Sequence, residues 1–271
     1  MNRNQQVVRI LFATGIISVG AVVLVYGYQV LLFQAVPPSW AAWLKPVGWV
    51  SGVIMLGTGL GLLFERSARL STRIVLAFLL LWTLSRLPAV PADPGREISW
   101  FAVGEVAVLF AGALVLFVWF DGSTTGSALQ RLAATHGLTI ARLVVGYSLV
   151  TFGLSHFFEF APRTVSLVPA WLPYRTAWAD LAGAAQVAAG VGVFFSIYPR
   201  WAAAAEAAML SAFTVLVWVP AVITKPHLAS NWVEFLFTWA LAGACWVLAE
   251  GIPARRSAGV PIAAPADGVL R

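Results

Sequence analysis

Two side chains capable of acid–base chemistry stand close together in the second half of the sequence. His156 is followed three residues later by Glu159, a spacing that places both side chains on one face of a helix. An imidazole with a pKa of about 6.5 beside a carboxylate can relay a proton, and the same pair can ligate a metal ion. We therefore predict His156 and Glu159 as catalytic candidates. In a simpler alternative, Glu159 only orients His156 in interfacial water, or pairs with Arg163 one helical turn later.

A second pair of ionisable residues lies further along the chain. Glu234 follows Asn231 by three residues, the spacing of an N-cap with its capping-box partner, which predicts a helix start there. His227 precedes this point in a proline-containing loop. Two interpretations stay open for it: a solvated loop histidine, or a histidine that binds a ligand. The functional alternative is that both side chains join His156 in one site.

These residues lie at one end of four apolar segments, and a set of aromatic residues lies at the same end. We predict ligand-binding roles for Trp171, Tyr174, Arg175, Gln186, His227, Trp232 and Glu234. If the site holds a metal, His156, Glu159 and His227 are the candidate ligands. Helices converging there would enclose an aromatic-lined cavity with a polar floor, whereas an interfacial belt of Trp, Tyr and Arg anchors needs no cavity.

The elements that must position these residues are membrane-spanning helices. The chain is 60% hydrophobic and only 10% charged, too few charges to cover a soluble protein of this size. About 20 apolar residues cross a bilayer, which predicts an all-α protein with eight transmembrane helices in contact with lipid. The predicted spans are Val7–Phe33, Pro46–Phe64, Thr72–Val90, Ser99–Phe120, Ile140–Phe160, Ala177–Tyr198, Trp201–Ile223 and Asn231–Ala249.

Charge and cysteine content narrow the class further. The net charge is +6, but the basic residues are scattered, so no nucleic-acid partner is expected. More lysines and arginines fall in the loops on the side of the N-terminus, which predicts that both termini face the cytoplasm of a bacterial-type inner membrane. The single cysteine, Cys245, excludes an intramolecular disulfide.

The two halves of the sequence match each other at a nearly constant offset. This pattern predicts tandem four-helix repeats over residues 1–120 and 140–250, joined by a cytoplasmic linker at 121–139 and followed by a tail at 251–271. An even number of spans separates the repeats, so they run parallel in the membrane. Matched positions include Arg9 with Arg142, Gly20 with Gly153, Pro38 with Pro169, Trp40 with Trp171, Gly52 with Gly183, Gly59 with Gly190, Pro94 with Pro226 and Trp100 with Trp232.

These short glycine, proline and tryptophan signatures resemble the DoxX-like family of membrane proteins. In the second half they comprise Arg142, Gly146, Gly153, His156, Phe157, the run from Pro169 to Pro173, Gly183, Gly190 and Gly192. The resemblance implies a four-helix bundle per repeat and, for some members, a link to quinone-coupled sulfur oxidation or oxidative stress. Many relatives carry an acidic residue where this chain has Gln186 and Met55, and most are single units rather than a pair.

The leading functional expectation is therefore a redox-associated membrane protein with a quinone-type ligand at the outer leaflet. His156 would exchange a proton with the ligand, Glu159 would orient the imidazole, and Trp171 and Trp232 would flank the ring. Because no haem or iron–sulfur ligand set is visible, electrons would require a soluble redox partner. A carrier with Gln186 and Glu206 on its path, or a scaffold that docks an oxidoreductase, are the alternatives. Whether the chain is itself an enzyme is left open.

Overall fold

The computed structural model describes residues 1–26 and 41–253, and this part of the chain is helical without a β-strand. Eight helical stretches are long and apolar enough to cross a membrane, one of them combining shorter helices over Pro199–Thr224, which confirms the predicted all-α membrane fold. The protein is thus a multi-pass integral membrane protein in contact with lipid. Pro38, Trp40 and the tail beyond Pro253 lie outside the described residues.

The helices are α1 (Arg3–Tyr26), α2 (Ala41–Leu63), α3 (Glu65–Arg86), α4 (Ala89–Ala92), α5 (Glu97–Asp121), α6 (Ala128–Leu154), α7 (Ala161–Leu167), α8 (Arg175–Phe194), α9 (Pro199–Phe213), a π-helical segment (Thr214–Trp218), α10 (Val219–Thr224) and α11 (Ala229–Gly251).

The connection between the halves is much shorter than the predicted linker at 121–139. Helix α6 begins at Ala128, where Ser127 and Gln130 form a capping box: the Ser127 amide donates to Gln130 Oε1 at 2.8 Å, and the Gln130 amide donates to Ser127 Oγ. This pairing satisfies two amide donors at the helix start. The predicted linker was therefore wrong, because a capping signal lies inside it. Helix α6 also ends earlier than predicted, at Leu154.

The long helices pack in the same order in both halves. In the first half α1 packs on α2, α2 on α3 and α3 on α5; in the second, α6 packs on α8, α8 on α9 and α9 on α11. The halves meet through α1 with α11, α5 with α6, and α5 with α11. The first helix of each half therefore packs against the last helix of the other, and α5 and α11 form the core of the molecule.

Glycines allow the first two spans of each half to cross closely. A Cβ atom on Gly20 would lie 2.5 Å from the Leu56 amide nitrogen, and one on Gly153 would lie 2.7 Å from that of Val187. Small residues at such crossings let helix backbones approach within the membrane. The same correspondence recurs one turn further along, where Gly59 meets the Ile17 amide and Gly190 meets the Val150 amide.

Ion pairs at the end of the bundle that carries the N-terminus repeat as well. Arg73 Nε on α3 lies 2.6 Å from the Asp121 carboxylate at the end of α5. Arg200 on α9 lies 3.1 Å from the Glu250 carboxylate at the end of α11. Each half thus links its third span to its fourth by an arginine–carboxylate pair. Together with the glycine crossings, these contacts support the duplication, whose superposition by one rotation about the membrane normal remains a prediction.

Candidate functional site

A cavity of about 600 Å³ lies between α5, α6, α8, α9 and α11. It sits toward the end of the bundle at which α6 ends and α11 begins, hereafter the His156 end, and its walls are largely apolar. Its volume falls within the range of small-molecule sites. The polar and charged side chains in its lining are Glu105, Ser155, His156, Arg163, Thr164, Gln186, Glu234 and Thr238.

Aromatic and aliphatic side chains border the cavity on the side of the lipid. Trp171, Trp178 and Trp218 all line it, and Trp171 is 76% exposed. Leu181 on α8 and Leu216 on the π-helical segment also line the cavity, and each is more than half exposed. In a membrane, these exposed apolar side chains would contact acyl chains.

A π-helical segment forms part of the wall. Helix α9 ends at Phe213, and the next five residues, Thr214–Trp218, follow π geometry before α10 begins. Pro220 lacks an amide hydrogen, so it cannot donate the regular bond to the carbonyl of Leu216. Leu216 and Trp218 of this segment are lining residues of the cavity. Such π segments are frequent at functional sites.

His156 lies in the turn that follows α6, and one nitrogen of its ring is hydrogen-bonded to the backbone. Its Nδ1 atom is 2.8 Å from the carbonyl oxygen of Ala179. A carbonyl oxygen only accepts, so Nδ1 carries the hydrogen and Nε2 of the neutral ring is an acceptor. Burial lowers the pKa of His156 below its usual 6.5, which keeps the ring neutral at neutral pH. His156 therefore presents an imidazole acceptor in the lining of the cavity.

Glu159 does not accompany His156, so the predicted helical pairing was wrong. Because α6 ends at Leu154, the two residues lie in irregular turns and do not share a helical face. Arg96 binds the Glu159 carboxylate at 2.7 Å, and this hydrogen-bonded ion pair lowers the pKa of Glu159 and raises that of Arg96. Glu159 is absent from the cavity lining. Its ion pair instead anchors the turn of His156 to the first half of the chain.

A second bond from the first half holds the same turn. The carboxylate of Glu97, at the start of α5, accepts a hydrogen bond from the Phe160 amide at 3.3 Å. With the Arg96–Glu159 pair, this contact joins the beginning of α5 to the segment after α6. We refer to these two contacts as the α5 latch.

Glu234 has a different role from the predicted capping box. Helix α11 begins at Ala229, and its N-cap, Leu228, makes no side-chain cap. The side-chain amide nitrogen of Asn231, Nδ2, instead donates to the carbonyl of Ala221 at 2.9 Å. The carboxylate of Glu234 is bound by the guanidinium of Arg163, and both side chains line the cavity. The predicted pairing of Glu159 with Arg163 was therefore also wrong.

Several other predicted ligand-binding residues lie outside the cavity lining. Tyr174 is 84% exposed, His227 is exposed, and neither contributes to the lining. Arg175 donates to the carbonyls of Val168 and Ser166, at 2.9 and 2.7 Å, and so ties the start of α8 to the end of α7.

Trp232 has a structural role that recurs in the first half. Its indole Nε1 donates to the Pro226 carbonyl at 2.9 Å, and Trp100 Nε1 donates to the Pro94 carbonyl at the same distance. Each tryptophan thus fastens the loop before the last span of its half. Trp232 does not line the cavity, and its role in flanking a ligand stays a prediction.

Of the predicted site residues, the structure brings four together in the lining: His156, Trp171, Gln186 and Glu234. It adds Glu105 from α5, which interacts electrostatically with Arg86, Arg163 and Glu234. Its signal was a carboxylate inside an apolar span, which is costly in a membrane and so points to a function.

The residues proposed as metal ligands are not gathered into a centre. Among the described residues, no group of three or more His, Cys, Asp or Glu side chains is placed to hold a metal ion. Glu159 and His227 both lie apart from the cavity that His156 lines.

A second, larger cavity of about 960 Å³ lies at the opposite end, between α1, α9 and α11. Val8, Trp246 and the Arg200–Glu250 ion pair contribute to its lining. None of the predicted site residues borders it, so its size alone does not make it the candidate site.

Comparison with known proteins adds one match. A family model described as a domain of unknown function (DUF8561) matches residues 145–242. No curated protein and no solved structure matches the chain. The matched segment runs from within α6 into α11, and so includes His156, Gln186 and Glu234 but leaves Glu105 outside.

Proposed function

We propose that the protein binds a lipid-soluble aromatic ligand of the quinol type in the cavity at the His156 end. The observation that carries this proposal is the acceptor Nε2 of His156, whose ring is held through Nδ1 by the Ala179 carbonyl, in a largely apolar cavity bordered by tryptophans. A hydroxyl group on an aromatic ring would satisfy the acceptor, while the indole rings of Trp171 and Trp178 would contact the ring itself.

The reduced form of such a ligand fits better than the oxidised form. A quinone carbonyl only accepts hydrogen bonds, and the neutral His156 ring has already committed its one donor to Ala179. A quinol hydroxyl donates, so the ring can accept its hydrogen bond and then its proton. In a redox role the electrons would pass to a soluble partner with its own redox centre. The DoxX-like sequence resemblance is in keeping with this role.

Access from the bilayer supports a lipid-soluble ligand over a water-soluble one. The exposed leucines at 181 and 216 border the cavity between α8 and the π-helical segment. A ligand with an apolar tail could leave that tail among acyl chains while its ring occupies the cavity. If the predicted orientation holds, this happens in the outer leaflet.

The test is a titration of the purified protein in lipid nanodiscs with a short-tailed hydroquinone, read by tryptophan fluorescence. His156→Ala should weaken binding about five-fold, since one hydrogen bond contributes about 1 kcal/mol and 1.4 kcal/mol is a factor of ten. His227→Ala is the matched control, because His227 lies near the same end outside the cavity. Equal affinities in both variants, or binding that never saturates, would refute the proposal.

A carrier is the second candidate, favoured by a buried polar pair that continues from the cavity toward α9. Gln186 lines the cavity and its Nε2 donates to Glu206 Oε1 at 3.1 Å. Flux measured in liposomes distinguishes this candidate: a carrier moves the ligand between compartments, whereas a binding or redox protein only retains it in the membrane.

A further inference from the structure

A carboxyl group and an amide contact each other in the interior of the second half. Gln186 on α8 is 4% exposed and Glu206 on α9 is 0% exposed. Gln186 Nε2 donates to Glu206 Oε1 at 3.1 Å. The remaining two oxygens, Gln186 Oε1 and Glu206 Oε2, are both buried without a hydrogen-bond partner among the described residues. Two orphan acceptors on one contacting pair require an explanation.

No described cation compensates a negative charge on Glu206. Ion pairs of the described residues do not include it, and the arginine on its own helix, Arg200, is paired with Glu250. Helix α8 presents the neutral Gln186, and α11 presents the buried thiol of Cys245, which interacts electrostatically with Glu206. An ionised carboxylate in this setting would be both desolvated and unpaired, which is strongly unfavourable.

We propose that Glu206 is a carboxylic acid in the resting protein and that Gln186 holds its proton. Glu206 Oε2 donates to Gln186 Oε1, while Gln186 Nε2 donates to Glu206 Oε1. One proton thereby converts both orphan acceptors into a single hydrogen bond, and no buried charge remains. The pair is a proton-binding site, and Gln186 connects it to the cavity.

This assignment gives the cavity a proton reservoir in its wall. Loss of the proton from Glu206 would free Gln186 Oε1 to accept a hydrogen bond from a molecule in the cavity. A ligand that donates to Gln186 would in turn compete with the Glu206 hydroxyl. Proton release and ligand binding are therefore coupled at this pair, whatever the chemical identity of the ligand.

Infrared difference spectroscopy of the full-length protein in nanodiscs tests the site without any ligand. At neutral pH, the spectrum of the wild type minus that of Glu206→Gln should contain the carbonyl stretch of a protonated, hydrogen-bonded carboxyl group. Gln186→Leu keeps the acid but removes its partner, so the band should persist and shift to the frequency of a free carboxyl group. Glu159→Gln, at an exposed ion-paired carboxylate, is the control and should remove carboxylate bands only.

Three outcomes would overturn the assignment. The first is a Glu206 signal made only of carboxylate bands at neutral pH. The second is a protonated band that Gln186→Leu leaves unchanged. The third is a band abolished by sodium but not by choline at constant pH, which would make an alkali cation the occupant of the two oxygens. Gln186→Leu retains Glu206, so its spectrum can be compared directly with that of the wild type. The test therefore stands even if Glu206→Gln folds poorly. These spectra are recorded without a ligand. The assignment of Glu206 can therefore be tested even if the titration shows that hydroquinone does not bind.

Discussion

At the scale of the residue, His156 gains its acceptor role from the backbone and not from a neighbouring carboxylate. The Ala179 carbonyl fixes the tautomer, and burial keeps the ring neutral. The sequence indicated an ionisable residue of interest, but the spacing to Glu159 suggested the wrong partner. A carbonyl on a helix 23 residues away leaves no local pattern to read.

Ligand affinity should depend on pH through His156. Its pKa lies below 6.5, so hydroquinone affinity should be constant at and above that pH and fall as the pH drops through the lowered value, where Nε2 becomes protonated. Stability should also fall below about 6.5, because the unfolded chain takes up the proton first. Titrations at stepped pH test this expectation. His156→Asn should abolish the dependence, and a wild-type affinity that rises on acidification would contradict it.

Gly183 provides the space that His156 occupies. A Cβ atom there would lie 2.5 Å from His156 Cβ, so Gly183→Ala should displace the ring and weaken hydroquinone binding. Overpacking should also destabilise the fold by about 1–3 kcal/mol. Gly52→Ala is the matched control at the equivalent crossing of the first half, where the new Cβ would lie 2.8 Å from Leu24 Cγ.

Thermal unfolding and ligand titration of both glycine variants separate the two effects. Gly52→Ala should lower the unfolding temperature without changing affinity. A comparable loss of affinity in both variants would show that the strain acts through the bundle as a whole and not through His156.

At the scale of the element, boundaries decided which predictions held. The apolar runs located all eight spans, because a segment that crosses a bilayer must be predominantly apolar over about 20 residues. The ends of the helices were harder to predict. The capping box of Ser127 and Gln130 is visible in the sequence, but it lies inside the predicted linker. The early end of α6 and the early start of α11 then changed the partners of Glu159 and Glu234.

The α5 latch should position the turn of His156. Arg96→Glu should lower hydroquinone affinity by loosening this turn, and adding Glu159→Arg should restore it by reversing the ion pair. The stability change should stay below about 1 kcal/mol, since the pair is largely exposed. Titrations of the single and double variants measure the effect. Additive losses, with no recovery in the double variant, would show that the pair does not hold the turn.

At the scale of the whole molecule, helices of the two halves pack against each other through one interface. The cavity draws Ile98, Phe101 and Glu105 from α5 and the rest of its lining from residues 152–241. Local spacing could not predict this contribution, because it depends on how one half packs against the other. The duplication itself was readable from matched glycines, prolines and tryptophans, and the equivalent bonds of Trp100 and Trp232 explain why those tryptophans recur.

Orientation in the membrane is a separate prediction, based on the distribution of lysine and arginine. A cysteine at Ser230 should react with an impermeant thiol reagent in intact cells, and one at Thr124 should not. Both positions are exposed, and they lie at opposite ends of the bundle. The native Cys245 is fully buried and should give no background. The reverse labelling pattern would place the His156 end on the cytoplasmic side.

The most direct test of the proposed function is to locate the ligand by covalent labelling. A photoreactive short-tailed hydroquinone would be activated in membranes that contain the protein, and the labelled peptides would be identified by mass spectrometry. We predict saturable labelling of the segments at 152–186 and 209–218, suppressed by excess hydroquinone and reduced in His156→Ala. Labelling confined to the second cavity around Val8 and Trp246, or labelling that competitor does not suppress, would contradict the proposed function.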